Sequence, residues 1–589
     1  MSKKILFTLF SIILLSFISS SSSEIPFAAI QNPTHSLNPN NLNTNNLNDN
    51  KMKIFSQSNI QDKESKKIMV ISDVHIMSEK LLIKDGEAFQ NYLQKDRKLL
   101  QESIAIAKEL ANKILEEKPE LVLVCGDLTK DGEKVSHQAF VEIFRPVVEN
   151  GIRMLVIPGN HDVNNPNAVY FNGKNEEPAE TVSAKQFSEI YSDFGYSNAV
   201  SRDRNSLSYV SEPTEGLRVI AIDGCKYEEN LFLSKGDEKN HCVTEGRIKP
   251  ETMKWIKREA KMALNSGKQI IAMVHHNVVE HFDFQGEISA PYLLENFREV
   301  QNHFMEAGIQ VVFTGHFHAN DIAKTRDNKG NYLYDVETGS PVTYPCPYRV
   351  IEYSNRNQLL ISTKFIEKID YDLKGEDFQA YAKRIIKENI PAVLSSLITE
   401  FYPEISQAAG SYSSFIKIPE SHQLSRIVED NFGEIAVELM MKIYEGSQQI
   451  TFDYITLKKL NKSIENLAGE LARKKFLKGR IVKSFNNLDY IKKVKVAAHS
   501  IYFNMKGLDQ KVVLSGNIEK WMSKNREFID DLNYPIFLQN PILLSENLIE
   551  EEVKSPEKTI FSNPLFVSTK NFWNNDSKWP ESSSLVKTE

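Results

Sequence analysis

Sulfur is scarce in this chain: 589 residues hold four cysteines, Cys125, Cys225, Cys242 and Cys346. No two of them form a Cys-x-x-Cys pair, which removes a zinc ribbon and a redox dithiol from consideration. Four thiols allow three connectivities, and spacing selects none. Cys125 lies inside an apolar run and reads as a buried free thiol. Cys225 and Cys242 either bridge a surface loop or stay reduced. Positive charge is also short: Lys and Arg number 71 against 78 Asp and Glu, a formal net charge of −7. Such a chain has no general attraction to DNA, RNA or anionic lipid. No nucleic-acid polymer is expected as a partner, and any phosphate-bearing small molecule must be drawn by a local site. Long apolar runs are missing as well. The nearest approach, residues 5–18, falls short of the roughly 20 residues that a bilayer span takes. No internal repeat is visible.

That short apolar run has a telling context. Lys3 and Lys4 precede it, and Ser19 to Ser23 follow it, the pattern of an export signal over residues 1–23. An uncleaved N-terminal anchor is the alternative. With the signal removed no transmembrane segment is expected, and the chain is expected to be secreted, periplasmic or held at the cell surface, where disulfides are permitted. Asn, Ser, Asp and Lys dominate residues 24–65, which read as a disordered linker. From 66 to 368 strands alternate with helices. Strands are predicted at 68–72, 121–125, 154–157, 218–222, 269–274, 310–314, 332–337, 348–353 and 359–364. Their near-continuous apolar character predicts cover on both faces. Leu99, Ala107, Leu110 and Ile114 recur at helical spacing, as a crossover helix requires. Early strands alternate with helices and late strands follow one another directly, which predicts two packed sheets flanked by helices. Residues 369–545 read as a helical accessory domain, with helices at 378–401, 429–444 and 454–476. An irregular tail follows over 546–589.

Chemistry concentrates in five clusters, each directly after a predicted strand: Asp73-Val74-His75, Gly126-Asp127-Leu128, Gly159-Asn160-His161-Asp162, His275-His276 and Gly315-His316-Phe317-His318. In extended geometry residues i and i+2 point the same way, so Asp73 with His75, and His316 with His318, are expected to converge. Gly126 permits a tight path that presents Asp127. Asn160 offers a neutral carbonyl ligand. Singly, each cluster has an ordinary alternative: a surface pair, a turn with local hydrogen bonds, a satisfied core histidine. Five in series at strand ends make a rim of oxygen and nitrogen donors without sulfur, which is what a two-metal hydrolase needs.

The ordered series Asp-x-His, Gly-Asp, Gly-Asn-His-Asp, His and Gly-His-x-His resembles the calcineurin-like metallophosphoesterases over roughly residues 67–364. The extended form Gly126-Asp127-Leu128-Thr129-Lys130-Asp131-Gly132 is similar to the branch holding class III cyclic nucleotide phosphodiesterases and their exported bacterial relatives. The resemblance implies an α/β, four-layer double β-sandwich fold with an α-helical C-terminal domain. It implies two divalent metal ions (Mn, Fe, Zn or Co), one held by Asp73, His75, Asp127 and His318, the other by Asp127, Asn160, His275 and His316. It gives His161 contact with the phosphoryl oxygen or protonation of the leaving group, gives Asp162 the orienting of the His161 ring, and has a hydroxide shared by the metals attack phosphorus. The implied function is an exported phosphodiesterase of cyclic nucleotides or similar small phosphodiesters. A phosphomonoesterase, or a surface binding module that uses this core as scaffold, is the alternative. Purple acid phosphatases in the same superfamily carry a Tyr three places after the bridging Asp. Lys130 stands there in this chain, so no iron–tyrosinate centre is expected. Outside the motifs, His137 reads as a helix surface residue. His281 either lines the cleft or does not, and the Tyr344–Tyr348 stretch is a rigid turn or a stacking surface.

Overall fold

The computed structural model describes residues 66–232, 241–354, 358–410, 417–446 and 454–473, with scattered positions between 478 and 513. The expected signal, linker and tail, at 1–23, 24–65 and 546–589, lie outside the described residues.

The strands are, in chain order, β1 (Lys66–Ile71), β2 (Leu121–Val124), β3 (Arg153–Val156), β4 (Val169–Asn172), β5 (Asn175–Pro178), β6 (Ser201–Arg202), β7 (Tyr209–Thr214), β8 (Leu217–Ile222), β9 (Gln269–Val274), β10 (Val311–Thr314), β11 (Asp321–Arg326), β12 (Tyr332–Glu337), β13 (Pro347–Ser354), β14 (Gln358–Phe365) and β15 (Gln510–Val513). The helices are α1 (Glu87–Leu93), α2 (Ser103–Glu117), α3 (Lys134–Glu149), α4 (Ala184–Ile190), α5 (Pro250–Asn265), α6 (Gln285–Ile288), α7 (Phe297–Glu306), α8 (Phe378–Glu400), α9 (Tyr402–Gly410), α10 (Ser421–Glu445) and α11 (Tyr454–Leu471).

One sheet runs β15-β14-β13-β1-β2-β3, the other β11-β12-β10-β9-β8-β7-β6. Within them β1, β2 and β3 are parallel, as are β8, β9, β10 and β12. A parallel strand needs a crossover connection, and α2 and α3 supply it between β1, β2 and β3. Ile106, Leu110 and Ile114 of α2, and Phe140, Phe144 and Val147 of α3, recur every third or fourth residue and are fully buried. One core joins Val70, Leu123 and Val124 of the first sheet to Met273 and Phe313 of the second. The outer face of the second sheet packs on α5 and α7 through Trp255, Ile256, Val300 and Phe304. Helix, sheet, sheet, helix is the four-layer α/β arrangement expected, and its seams are closed by side chains whose burial contributes about 1.5–3 kcal/mol each.

The C-terminal helices have their own core, with α8 laid along α10. Ile390, Val393, Leu394 and Leu397 of α8 meet Phe432, Ala436 and Leu439 of α10 and Leu467 of α11. Phe317 and Ala319, from the last motif loop, belong to this same core. The helical region is therefore packed onto the functional loops, not hung beside them.

Some expectations are corrected here. His137 is fully buried on α3: its ring nitrogens lie 2.8 Å from the Tyr191 hydroxyl and 2.9 Å from the Asp162 carbonyl. Its neighbours on the helix, Phe140 and Val141, place it on the apolar face. Cys225 and Cys242 are buried thiols outside any disulfide, as are Cys125 and Cys346, so no bridge closes that loop. The hairpin β4–β5 and β6, β7, β11 and β15 have no counterpart among the predicted strands. Their sequences are too polar or too brief to stand out, and β5, Asn-Glu-Glu-Pro, is exposed throughout.

Candidate metal centre

All five motif loops leave the C-terminal ends of parallel strands, three from the first sheet and two from the second, and they meet at one seam. Backbone bonds tie loop to loop. The Asp73 N–H donates to the Gly126 carbonyl at 3.0 Å, the His75 N–H to the Asp127 carbonyl at 3.0 Å, and the Gly315 N–H to the His275 carbonyl at 2.9 Å. Asp73, His75, Asp127, His316 and His318 all take left-handed φ values of 55°, 43°, 50°, 71° and 61°. This corrects the expected route to convergence. The side chains meet because the chain turns sharply at each of them, not because a pleat carries i and i+2 to one face. A non-glycine residue in that region costs about 1–3 kcal/mol and clusters at functional sites.

The motif glycines explain why the turns can be so tight. A Cβ on Gly159 would run into the Asp127 carboxylate, and one on Gly315 into Ser72 and the Asp73 carboxylate. Glycine is required there by close approach.

The donors fall into three groups. Asp73, His75 and His318 form the first, Asp127, His275 and His316 the last, and His75, Asp127 and His161 a middle one that shares a residue with each. In the first, the His75 and His318 Nε2 atoms are 3.2 Å apart, and His318 Nε2 is 3.3 Å from Asp73 Oδ1. In the last, His275 Nε2 is 3.0 Å from Asn160 Oδ1 and 3.3 Å from Asp127 Oδ2. Asp127 Oδ2 is also 3.7 Å from His75 Nε2, so it stands between the groups. Ligand atoms about 2.1 Å from a shared ion lie about 3–3.4 Å from one another, and these separations match.

Backbone carbonyls fix which imidazole nitrogen faces inward. Thr129 O lies 3.3 Å from His75 Nδ1 and Cys125 O 2.8 Å from His275 Nδ1, leaving both Nε2 atoms for the centre. Pro291 O lies 3.3 Å from His316 Nε2, leaving Nδ1. Such outer partners set tautomer and ring orientation in metal sites. Electrostatics agree. Burial would raise the Asp127 carboxyl, but the His275 and His161 imidazoles outweigh it and hold the group well below its ordinary range. Burial works against a charged His275, yet Asp127 and Asp73 push it up to about 9. The carboxylates call for positive charge at this point, and a divalent cation would supply it. All seven donor residues are at least 95% buried: His316 is the most open at 5%. The set therefore fits two divalent cations of the kind bound by oxygen and imidazole.

His161 sits beside the donors. Its N–H donates to Asp127 Oδ1 at 3.0 Å, and its Nε2 is 3.9 Å from Asp127 Oδ2. The carboxylate on its ring is not that of Asp162. Asp131 Oδ1 lies 2.8 Å from His161 Nδ1. Asp162 instead accepts the Gly159, Leu128 and Thr129 N–H groups at 2.8, 3.1 and 3.0 Å and the Thr129 hydroxyl at 2.9 Å. It staples the second motif loop to the third, because the sharp turn at Gly159 directs its side chain back into the backbone. Asp131 is ion-paired to Lys130. Burial opposes its charge, but Lys130 and His161 hold it at about 2. Sequence reading passed over Asp131, although it lies in the same Gly126–Gly132 run, four residues after Asp127. Asn165, also passed over, donates to the His161 carbonyl at 3.0 Å.

Of the adjacent pair, His275 faces the donors. His276 turns its Nε2 to the Thr244 carbonyl, 2.8 Å away, and its ring packs 4.4 Å from that of His316. His281 is 5% exposed and bonded to Asp321 at 2.9 Å. It belongs to a buried acidic group under the last motif loop, not to a cleft wall.

Residues 66–320 match the model of the calcineurin-like phosphoesterases. That stretch belongs to the calcineurin-like phosphoesterase family. Among solved structures, the chain is similar to a dimetal phosphatase of Danio rerio, at 14% identity over 51% of this chain and 96% of that one, with a TM-score of 0.35. It is also similar to a purple acid phosphatase from yellow lupin, Lupinus luteus, at 12% identity over 51% of this chain and 52% of that one, with a TM-score of 0.29. No curated protein matches the chain. No described helix is long and apolar enough to cross a membrane.

Proposed function

We propose that this phosphoesterase hydrolyses small phosphodiesters, cyclic nucleotides or compounds like them, at a dinuclear metal centre, after export from the cell. Asp73, His75 and His318 would hold one cation and Asn160, His275 and His316 the other, with Asp127 shared. Cations bound there would polarise a phosphoryl oxygen and lower the pKa of water toward 7. The chain supplies the rest. Asp127 is held in place by the His161 N–H. His161 donates its Nδ1 proton to Asp131 and presents Nε2 toward the donors, so that an imidazolium there can give a proton to a leaving alkoxide. Asp162 fixes the turn that carries both. The single observation that carries the reading is the position of Asp127 Oδ2 between the two donor groups with His161 alongside.

Export is supported by the basic Lys3 and Lys4 ahead of the apolar residues 5–18. The diester preference is supported by the similarity of the Gly126–Gly132 run to class III phosphodiesterases. Turnover of bis-p-nitrophenyl phosphate against p-nitrophenyl phosphate, with added Mn²⁺ and then with EDTA, tests it. Preference for the diester, lost in EDTA, is the expected result. Preference for the monoester would make the chain a phosphomonoesterase. No turnover with any divalent metal would make the core a scaffold for binding.

A further inference from the structure

His318 differs from the other donor histidines in how its ring is held. His75, His275 and His316 each set an outer nitrogen against a backbone carbonyl. His318 Nδ1 is buried and has no hydrogen-bond partner among the described residues. Its Nε2 nonetheless meets His75 Nε2 and Asp73 Oδ1, at 3.2 and 3.3 Å. Ring orientation in metal sites is usually set by an outer hydrogen bond, so here the loop that carries the ring must set it instead. One tie on that loop comes from the sheet, where the Ala319 N–H donates to Glu337 Oε1 at 3.0 Å. It holds the backbone after His318 on one side.

The other side is the C-terminal end of α10. Carbonyls in the last turn of a helix have no N–H of their own helix to accept from. Asn320, two residues beyond His318 and fully buried, supplies two donors there. Its N–H points to the Ile443 carbonyl at 3.4 Å and its side-chain amide to the Tyr444 carbonyl at 3.1 Å. Asn320 Oδ1 accepts the Gly339 N–H at 3.3 Å, so one side chain joins the helix end to the turn after β12. Gly446 closes the helix with a left-handed φ of 55°, its N–H on the Lys442 carbonyl at 3.1 Å. A Cβ on Gly446 would run into the Asn320 carbonyl, so glycine is what lets the two chains touch. Phe317 and Ala319, on either side of His318, are buried in the same core as Met440 and Ile443 of α10. The Tyr444 ring lies 6.4 Å from the His318 ring. Every neighbour of His318 along the loop, from 317 to 320, is thus fixed against the helical region.

We propose that the end of α10 sets one of the two cation positions, with Asn320 as its positioning residue: by capping the helix, Asn320 holds the His318 loop so that Nε2 faces Asp73 and His75. The helical region then governs the affinity of that position alone. The histidines of the other position, His275 and His316, are fixed by the Cys125 and Pro291 carbonyls and do not depend on α10. The inference rests on the dinuclear reading above and gives the helical region a part in assembling the centre.

Mn²⁺ titration of the full-length, metal-free protein tests it, followed by the paramagnetic resonance of the free ion, with anomalous diffraction assigning the positions. Asn320→Ala is expected to weaken the position of Asp73, His75 and His318 by about tenfold or more, and to leave that of Asn160, His275 and His316 within about threefold of the wild type. Gly446→Ala, which presses on the same carbonyl, should show the same selective loss. Leu467→Ala, on α11, controls for general loosening of the helical core. It should lower the melting temperature and leave both positions as they are in the wild type. Unchanged affinities in Asn320→Ala, equal loss at both positions, or the same selective loss in Leu467→Ala would overturn the assignment. A wild type that takes up no Mn²⁺ beside His318 would remove the dinuclear reading, and this inference with it.

Discussion

His161 has two ring nitrogens with two separate tasks, and the tasks can be dissected. Nδ1 is committed to Asp131, while Nε2 is left toward the donors. His161→Ala is expected to lower kcat by about 10²- to 10⁴-fold with metal content unchanged by elemental analysis. Large metal loss would show the residue to be a ligand. Asp131→Asn removes the carboxylate that stabilises the imidazolium. The alkaline limb of the kcat profile, where the acid loses its proton, should move to lower pH by about one unit. An unmoved limb would leave Asp131 a purely structural role. His137 offers a test of stability. Burial pushes its pKa down to about 4, against the Asp162 carbonyl, which favours its charge. The unfolded chain binds the proton below about 6.5, so stability should fall as pH drops from there toward 4 and level off below, at up to about 1.4 kcal/mol per pH unit. His137→Gln should flatten that part of the profile in urea unfolding. An identical slope in the variant would contradict the assignment.

At the scale of elements, strands whose composition is continuous and apolar were legible in advance. β1, β2, β3, β9 and β10 are buried on both faces over most of their length and lie within two residues of the expected positions. So were the long helices α8, α10 and α11, from their spaced apolar residues. What escaped was set by three-dimensional neighbours. The exposed β5 and the bulged β7 pair because the chain returns there, not because their residues favour strands. The positive φ of Asp73 and His75 cannot be read from their names. The exchange of roles between Asp131 and Asp162 follows from the turn at Gly159, which aims one carboxylate at backbone amides and leaves the other for the ring. The packing of α8 on α10 gives the element-scale test. Phe432 is fully buried among Ile390, Leu394 and Leu397. Phe432→Ala should cost about 3–5 kcal/mol, seen as a lower melting temperature of the full chain. A change under about 1 kcal/mol would mean that the two helices do not share a tight core.

For the whole molecule, the notable point is continuity between the catalytic layers and the helices that follow. Phe317 and Ala319 of the last ligand loop pack in the helical core, and Asn320 bonds to the end of α10. The seven candidate donors were legible in the sequence as types and order, and the structure brings them to one place. Their closure by α10 was not legible, because nothing in the spacing of Met440 or Tyr444 points to a loop more than a hundred residues away. Together, two sheets bring the motif loops to one seam and the helices cover it. The claim on which this rests is that Asp127 joins two cation positions. Anomalous diffraction from crystals of the Mn²⁺-loaded protein, set beside Asp127→Asn prepared identically, tests it most directly. Two peaks flanking the Asp127 carboxylate in the wild type, with both weakened in the variant, is the predicted result. A single peak, or a second one untouched by the substitution, would contradict it.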